Sequence, residues 1–140
     1  MSDYVFTIDA IPLQSKEQTK LYPFFDALKE GKLVNSECPN CKEMFWPPRS
    51  ICPNCLSDQL EWKELPQEGK LVAFSMQENG VPLGFKAPLF FAMVEIDGRM
   101  RMFTRLVDAK VEDVEIGAKV KLVVEKVDEN RVMPVFKPVE

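Results

Sequence analysis

The fold of this chain is decided by one stretch, residues 38–55, which reads CPNCKEMFWPPRSICPNC. It contains all four cysteines of the 140-residue chain as two Cys-x-x-Cys pairs, and the chain has no histidine. Each pair brings two sulfurs near one point, and the intervening segment 42–51 is long enough for a hairpin that joins the two points. Four thiolates at tetrahedral positions suit zinc, and a site without an open position is structural rather than catalytic. We therefore predict one structural zinc ion bound by Cys38, Cys41, Cys52 and Cys55.

Cysteines in two such pairs have three alternative uses. Four thiolates also bind iron, and metal analysis of the purified protein decides between the two ions. Disulfides would require an oxidising compartment, which nothing in the sequence indicates. A redox Cys-x-x-Cys motif normally opens a helix in a βαβ unit, and Pro47-Pro48 followed by another cysteine pair is not that setting.

The bulk composition limits the class of protein. A hydrophobic content of 46% and a charged content of 29% are typical of globular proteins. The first residues carry no basic segment followed by a long apolar run, so we expect no secretory signal, no membrane span and a cytoplasmic location. A net charge of -4 argues against a general nucleic-acid binder, whose affinity comes mainly from neutralising phosphates.

The region before the cysteines predicts two short helices. Residues 1–14 show no clear period and could pack as an extended lead-in. Ser15 and Gln18 resemble a capping box, apolar residues then recur at helical spacing, and Gly31 is a left-handed helix end. Pro23 interrupts the pattern, so we place the start of the second helix there. Three aromatic residues of this arm lie in the second predicted helix or next to it, and they either cover the core or dock on another protein; they are Tyr22, Phe24 and Phe25.

The remaining pattern is β. Strands are predicted at 33–37, 44–46 and 59–65 in the ribbon, and a break at Pro66–Gly69 sets a boundary. Five further strands are predicted at 70–76, 89–96, 99–106, 120–127 and 132–136, with an Asp97-Gly98 turn and one helical turn near 111–114. This order fits an OB-type barrel. The predicted fold is mainly β, with domains at 1–32 (helical arm), 33–66 (zinc ribbon) and 67–140 (five-stranded OB-fold barrel).

One strand of the barrel carries a candidate ligand face. Alternation places Met100, Met102, Thr104 and Leu106 in the core and Arg99, Arg101, Phe103 and Arg105 outside. Arginine suits phosphate and an aromatic ring suits a base, so a nucleotide-bearing cofactor or single-stranded nucleic acid would fit. The other interpretation is a solvated face neutralised by Glu95 and Asp97. The long loop 78–88, which contains Lys86, is a second candidate for binding.

A catalytic arrangement is absent from the sequence. The chain has no histidine, no Gly-x-Ser-x-Gly and no phosphate-binding glycine-rich loop, and its thiols are assigned to metal. General base and nucleophile roles therefore lack candidates.

These motifs resemble a known family of small proteins that join a rubredoxin-like zinc ribbon to an OB fold and occur alongside thiolases and related acyl-CoA enzymes. The resemblance runs from about Tyr22 to the end of the sequence. Its specific part is the cysteine block with Pro47-Pro48-Arg49, and its supporting parts are Glu30–Leu33, Glu61-Trp62, Gly69, Asp113–Gly117 and Pro134–Pro138.

The resemblance implies a non-catalytic protein that binds a thiolase-like enzyme and contributes to the site for coenzyme A thioesters. Arg and Phe on the barrel, together with Lys86, would then contact coenzyme A. Arg49 either turns toward the same ligand or buttresses the cysteine hairpin. The alternatives are a single-stranded nucleic-acid-binding protein and a stand-alone enzyme acting on acyl thioesters.

Three positions depart from the family pattern. Lys42 and Leu56 stand where family members usually have glycine after each cysteine pair, so any left-handed backbone there must tolerate a Cβ. Gln67 stands where a glycine is common, which could alter the connection between the modules.

Overall fold

A computed structural model describes residues 11–82 and 85–139. Predictions that fall on residues 1–10 and on Leu83-Gly84 lie outside the described residues. The elements in chain order are α1 (Tyr22–Lys29), β1 (Leu33–Glu37), β2 (Glu61–Leu65), β3 (Glu68–Gln77), β4 (Leu89–Ile96), β5 (Met100–Leu106), a 3₁₀ turn (Val111–Asp113), β6 (Lys119–Lys126) and β7 (Val132–Pro138). No helix in the described part of the chain is long and apolar enough to cross a membrane.

The second predicted helix is confirmed as α1 and the first is wrong. Gly31 has a φ of 81°, and the N–H groups of Gly31 and Lys32 donate to the carbonyls of Leu28 and Ala27, which is the expected left-handed end. Residues 15–21 form only turns, although the Ser15 hydroxyl contacts Gln18 Oε1 at 2.9 Å. The Pro23 ring would clash with the carbonyl four residues earlier, so a helix begun at Ser15 would be too short to persist.

The ribbon contains one two-stranded sheet. β1 and β2 pair antiparallel from Leu33 opposite Leu65 to Glu37 opposite Glu61. The predicted strand at 44–46 is wrong, because only Met44 pairs, in an isolated bridge to Glu37. The prolines at 47 and 48 have no N–H to donate, so the pairing cannot continue.

The C-terminal half is a closed barrel in the order β3-β4-β5-β7-β6, which confirms the predicted OB-fold architecture. All neighbouring pairs are antiparallel except β5 and β7, which meet in parallel at Leu106 and Phe136. Asp97 and Gly98 have φ values of 56° and 65°, so the predicted tight turn between β4 and β5 is present. The predicted helical turn after β5 is the 3₁₀ turn.

The ribbon and the barrel share one hydrophobic core. α1 contributes Phe24, Phe25 and Leu28, which pack with residues of β1 and of the barrel strands. Phe24 and Phe25 therefore cover the core, and Tyr22, which is half-buried, is the most accessible of these three rings. The division into 1–32, 33–66 and 67–140 stays a prediction.

Candidate functional site

The four cysteines form a zinc-ribbon site. Their sulfur atoms all lie within 4.8 Å of one another, with Cys38 and Cys55 3.6 Å apart and Cys41 and Cys52 3.9 Å apart. A tetrahedron with Zn–S bonds of about 2.3 Å has edges of about 3.8 Å, so these donors fit one zinc ion. The separations are far longer than the roughly 2.05 Å of a disulfide, and all four are free thiols.

Two similar backbone turns place the thiols. The N–H of Lys42 donates to the Cys38 carbonyl at 2.7 Å, and that of Leu56 donates to the Cys52 carbonyl at 2.9 Å. Lys42 and Leu56 have φ values of 59° and 62°, so both adopt the left-handed conformation that glycine usually supplies. The expectation that these positions tolerate a Cβ is therefore confirmed, at a cost of roughly 1–2 kcal/mol for each residue.

The close approach of the thiols changes their acidity. The pKa of Cys41 is raised to about 12 by the hydrogen bond with Cys55, by burial and by the other two thiols. The pKa of Cys52 is lowered to about 7, mainly by the Cys55 backbone N–H, with a smaller contribution from that of Asn54. A bound cation would stabilise all four thiolates, and its binding releases the protons that they otherwise hold.

Arg99, a predicted ligand residue, connects the barrel to the ribbon. Its guanidinium pairs with the Glu37 carboxylate on β1 and donates to the Lys42 carbonyl at 3.4 Å. The hydrogen bond from Arg99 lowers the pKa of Glu37. The side-chain amide of the fully buried Asn35 donates to the Phe45 carbonyl at 2.9 Å on the same side of β1. Arg99 is thus engaged in holding the first cysteine turn against the barrel.

Arg105 is also engaged within the chain. It pairs with Glu125 on β6, and its guanidinium lies 4.7 Å from the centre of the Phe85 ring. The prediction that Glu95 and Asp97 neutralise the arginines named the wrong carboxylates for Arg99 and Arg105. The observed partners lie on other elements, which the alternation along β4 and β5 cannot indicate.

The outer surface of β4 and β5 keeps one arginine and one aromatic pair open. Arg101 is exposed and has no ion pair within residues 11–82 and 85–139. Phe103 is 57% exposed and stacks on Phe91, with ring centres 5.8 Å apart and planes 16° from parallel. Met93 lies directly opposite Phe103 in the sheet. We call Phe91, Met93, Arg101 and Phe103 the aromatic face.

Sequence reasoning missed Phe91 and Phe85. The run 89–96 is nearly uniformly apolar, which hides its alternation, yet from Phe90 onward the buried residues of β4 are those at even numbers and the half-buried ones are those at odd numbers. Counting faces along β4 from the turn at Asp97 would have placed Phe91 beside Phe103. Phe85 lies on a loop and has no such signal.

The other two predicted ligand residues lie elsewhere. Lys86 is exposed on the loop between β3 and β4. The backbone N–H and carbonyl of Arg49 both bond to the Ser36 hydroxyl, at 3.3 and 2.9 Å. Successive side chains of a strand point to opposite faces, so Ser36 with Arg49 and Glu37 with Arg99 lie on opposite faces of β1. The structure does not bring Arg49 together with the arginines of the barrel.

Comparison with known proteins identifies the two modules. The family of the ChsH2 rubredoxin-like zinc ribbon domain matches residues 25–61, and that of the ChsH2 C-terminal OB-fold domain matches residues 62–125. A chain of the solved structure of an Ltp2-ChsH2(DUF35) aldolase superposes with a TM-score of 0.73 at 30% identity, covering 82% of this chain and 91% of that one.

Three relatives have names that state a function or a role. A DUF35 domain-containing scaffold protein of Methanocaldococcus jannaschii is 33% identical over 101 residues, covering 70% of this chain and 71% of that protein. The benzoylsuccinyl-CoA thiolase subunit BbsA of Thauera aromatica is 31% identical over 124 residues, covering 86% and 85%. A probable enoyl-CoA hydratase alpha subunit of Thermomonospora curvata is 30% identical over 115 residues, which are 82% of this chain and 36% of that protein. This chain therefore spans about a third of the length of the last relative.

Both modules are matched in the same order, and the similarity covers more than two thirds of the scaffold protein and of the thiolase subunit. The chain belongs to the ChsH2 (DUF35) family of proteins that join a rubredoxin-like zinc ribbon to an OB fold.

Proposed function

We propose that this chain is a non-catalytic accessory subunit of a thiolase-like enzyme and that it contributes a binding surface for a coenzyme A thioester. Relatives that are a thiolase subunit, a scaffold protein and part of an aldolase support the association. The zinc is structural, because the four thiolates leave no position open for a substrate.

The observation that carries the coenzyme A part is the aromatic face. An exposed phenylalanine on the surface of a sheet is costly to hydrate, and its stacking on Phe91 holds the ring flat against the strands. A flat, accessible ring can stack with an adenine base. Arg101 lies on the same face and forms no ion pair with the residues that the structure describes, so it can contact the phosphates.

The lack of candidates for a nucleophile or a general base supports the accessory role. The thiols are ligands of the metal site, and the chain has no histidine to act as a base near neutral pH. In the described part of the chain, the arginines near the aromatic face bind carboxylates of the chain itself or face solvent. These groups can bind and orient an anionic ligand, and the reacting groups would then belong to the partner enzyme.

Two measurements test this proposal. The tagged chain is first used to capture partners from native lysate, and a thiolase-fold enzyme is the expected result. Coenzyme A is then titrated into the complex by calorimetry. Phe103→Ala should weaken binding roughly 5- to 150-fold, because stacking of a base on an aromatic ring is worth about 1–3 kcal/mol. Arg101→Gln should also weaken binding.

The matched control is Lys121→Gln, which removes an exposed cation from β6 and leaves the aromatic face intact. Unchanged binding with Lys121→Gln and reduced binding with both face variants supports the proposal. Absence of coenzyme A binding in the complex, or equal binding by the wild type and Phe103→Ala, refutes it. A pyrimidine oligonucleotide titrated in parallel at several salt concentrations tests the nucleic-acid alternative.

A further inference from the structure

A cavity of about 330 Å³ lies in the ribbon beside Arg49. The charged residues that line it are the cations Lys20 and Arg49 and the carboxylate Asp58, and its apolar lining consists of Ile51, Leu60 and Trp62. We call it the ribbon cavity. Its volume lies at the lower end of the range of about 300–1,000 Å³ found for ligand pockets.

The ribbon cavity has an excess of positive charge. Neither Lys20 nor Arg49 forms an ion pair with any carboxylate in the part of the chain that the structure describes. Asp58, the one acid in the lining, accepts a hydrogen bond from the Gln59 side-chain amide at 2.8 Å. Two cations against one engaged carboxylate leave the cavity suited to an anion.

The walls of the ribbon cavity are built on regular structure. Ser36, which binds the backbone of Arg49, is buried in β1, and Trp62 is its partner across the sheet in β2. Ile51 directly precedes Cys52, so the second cysteine turn fixes its position. The cavity is therefore formed before any ligand arrives, which reduces the entropy cost of binding.

One exposed apolar side chain lines the cavity together with the cations. It is Ile51, which is 51% exposed. Tryptophan and arginine are enriched among the residues that dominate binding energy at protein interfaces, where they lie next to apolar contacts. An exposed apolar rim, a tryptophan wall and unpaired cations together fit a protein segment better than a free inorganic anion.

We propose that the ribbon cavity is a docking site for a segment of the partner enzyme in which an acidic residue adjoins an apolar side chain. The carboxylate of the segment pairs with Arg49 and Lys20, and its apolar side chain packs on Trp62 and Ile51. This inference rests on the proposed function and assigns the two ligands to separate surfaces. The aromatic face on β4 and β5 binds the coenzyme, and the ribbon cavity, on the face of β1 that carries Ser36, binds the enzyme.

The first experiment uses a peptide probe with the zinc-loaded full chain. Trp46→Phe leaves Trp62 as the single tryptophan of the chain, which contains two. The acetylated and amidated peptide Leu-Asp-Leu-Glu should change the Trp62 emission saturably. Lys20→Gln/Arg49→Gln should weaken this binding at least tenfold, whereas Lys121→Gln, which removes an exposed cation from β6, should leave it unchanged. Circular dichroism verifies that each variant is folded.

Three outcomes of the titration overturn the proposal. The first is no saturable response to the acidic peptide. The second is an equal response to the peptide in which Asn and Gln replace the acids. The third is the same response to inorganic phosphate at matched ionic strength, which would make the cavity a simple anion site.

The second experiment separates this inference from the proposed function. In the complex with the captured thiolase-fold enzyme, Lys20→Gln/Arg49→Gln should weaken association at least tenfold without changing coenzyme A affinity. Phe103→Ala should weaken coenzyme A binding without changing association. Unchanged association of the cavity variant overturns the inference and leaves the proposed function intact. Failure to capture a thiolase-fold enzyme counts against the proposed function, and the peptide titration then decides on the cavity by itself.

Discussion

Replacing Gly69 by alanine should destabilise the barrel through crowding rather than through backbone strain. A Cβ at this position would lie 2.5 Å from Val94 Cγ1, 2.7 Å from Ile96 Cδ1 and 2.9 Å from the Glu95 carbonyl oxygen. Carbon atoms prefer separations of about 3.5–4.0 Å, so each carbon contact is roughly 1 Å too short. Val94 and Ile96 are fully buried in β4 and the third atom belongs to the backbone, so none of the three can move easily.

Overpacking of a well-packed core typically costs about 1–3 kcal/mol, and three fixed neighbours place Gly69→Ala in the upper half of that range. With a urea m-value of about 2 kcal/mol/M, the unfolding midpoint should fall by about 1–1.5 M. Far-UV circular dichroism in the presence of excess zinc measures this midpoint. The control is Lys70→Ala, an exposed position on the same strand, which should change the free energy of unfolding by less than about 0.5 kcal/mol.

A double-mutant cycle tests the cause. Val94→Ala removes the nearest clashing methyl group, so Gly69→Ala/Val94→Ala should be less destabilised than the sum of the single changes by about 1 kcal/mol. A Gly69→Ala midpoint within about 0.2 M of the wild type would refute the reasoning, because it would mean that β3 and β4 separate freely at this point.

Three further predictions concern the ribbon. Lys42→Gly and Leu56→Gly should each raise the free energy of unfolding by about 1 kcal/mol, because glycine removes the steric strain of a Cβ in the left-handed conformation. Lys42→Ala keeps the Cβ and should not stabilise the protein. A loss of stability with glycine would contradict this. Zinc affinity, measured by chelator competition, should decrease as the pH is lowered from about 8 to about 6. The decrease should be steeper below about pH 7, because Cys52 then also holds a proton that zinc must displace. An affinity that does not depend on pH would contradict this. Glu37→Gln should lower the melting temperature at neutral pH, because Arg99 lowers the pKa of Glu37 in the folded protein below 4.5. The difference in melting temperature between the wild type and the variant should be complete above that pH and disappear as the pH falls through the lowered pKa. An equal difference at all pH values would contradict the ion pair.

Local patterns predicted much of this molecule. The spacing of the cysteines is sufficient to predict the metal site because each pair is held by its own short turn. Alternation and the Asp97-Gly98 turn predicted the barrel strands because side chains in strands have a fixed period of two. The family resemblance, carried by the cysteine block, predicted the order of the modules that the matched families confirm.

The first helix and the strand at 44–46 were wrong because nearby prolines interrupt them, whereas the contacts that were missed join distant residues. Arg99 and Glu37 are 62 positions apart in the chain, and only the packing of the barrel turn against β1 makes them partners. Packing inside the barrel explains why Gly69 is needed: its lack of a side chain lets β3 approach Val94 and Ile96. A single sequence shows the glycine but not the neighbour that requires it.

The position of Arg99 relates the metal site to the proposed binding surfaces. Arg99 immediately precedes β5, whose outer side chains belong to the aromatic face, and it contacts both Glu37 and the backbone of Lys42 next to Cys41. The second cysteine turn fixes Ile51 in the wall of the ribbon cavity. Each cysteine turn thus supports one of the two surfaces, and the same ion holds both turns. A zinc ion bound by both turns would therefore do more than fold the ribbon, because it would keep the proposed coenzyme-binding face and the proposed docking cavity at a constant distance and orientation.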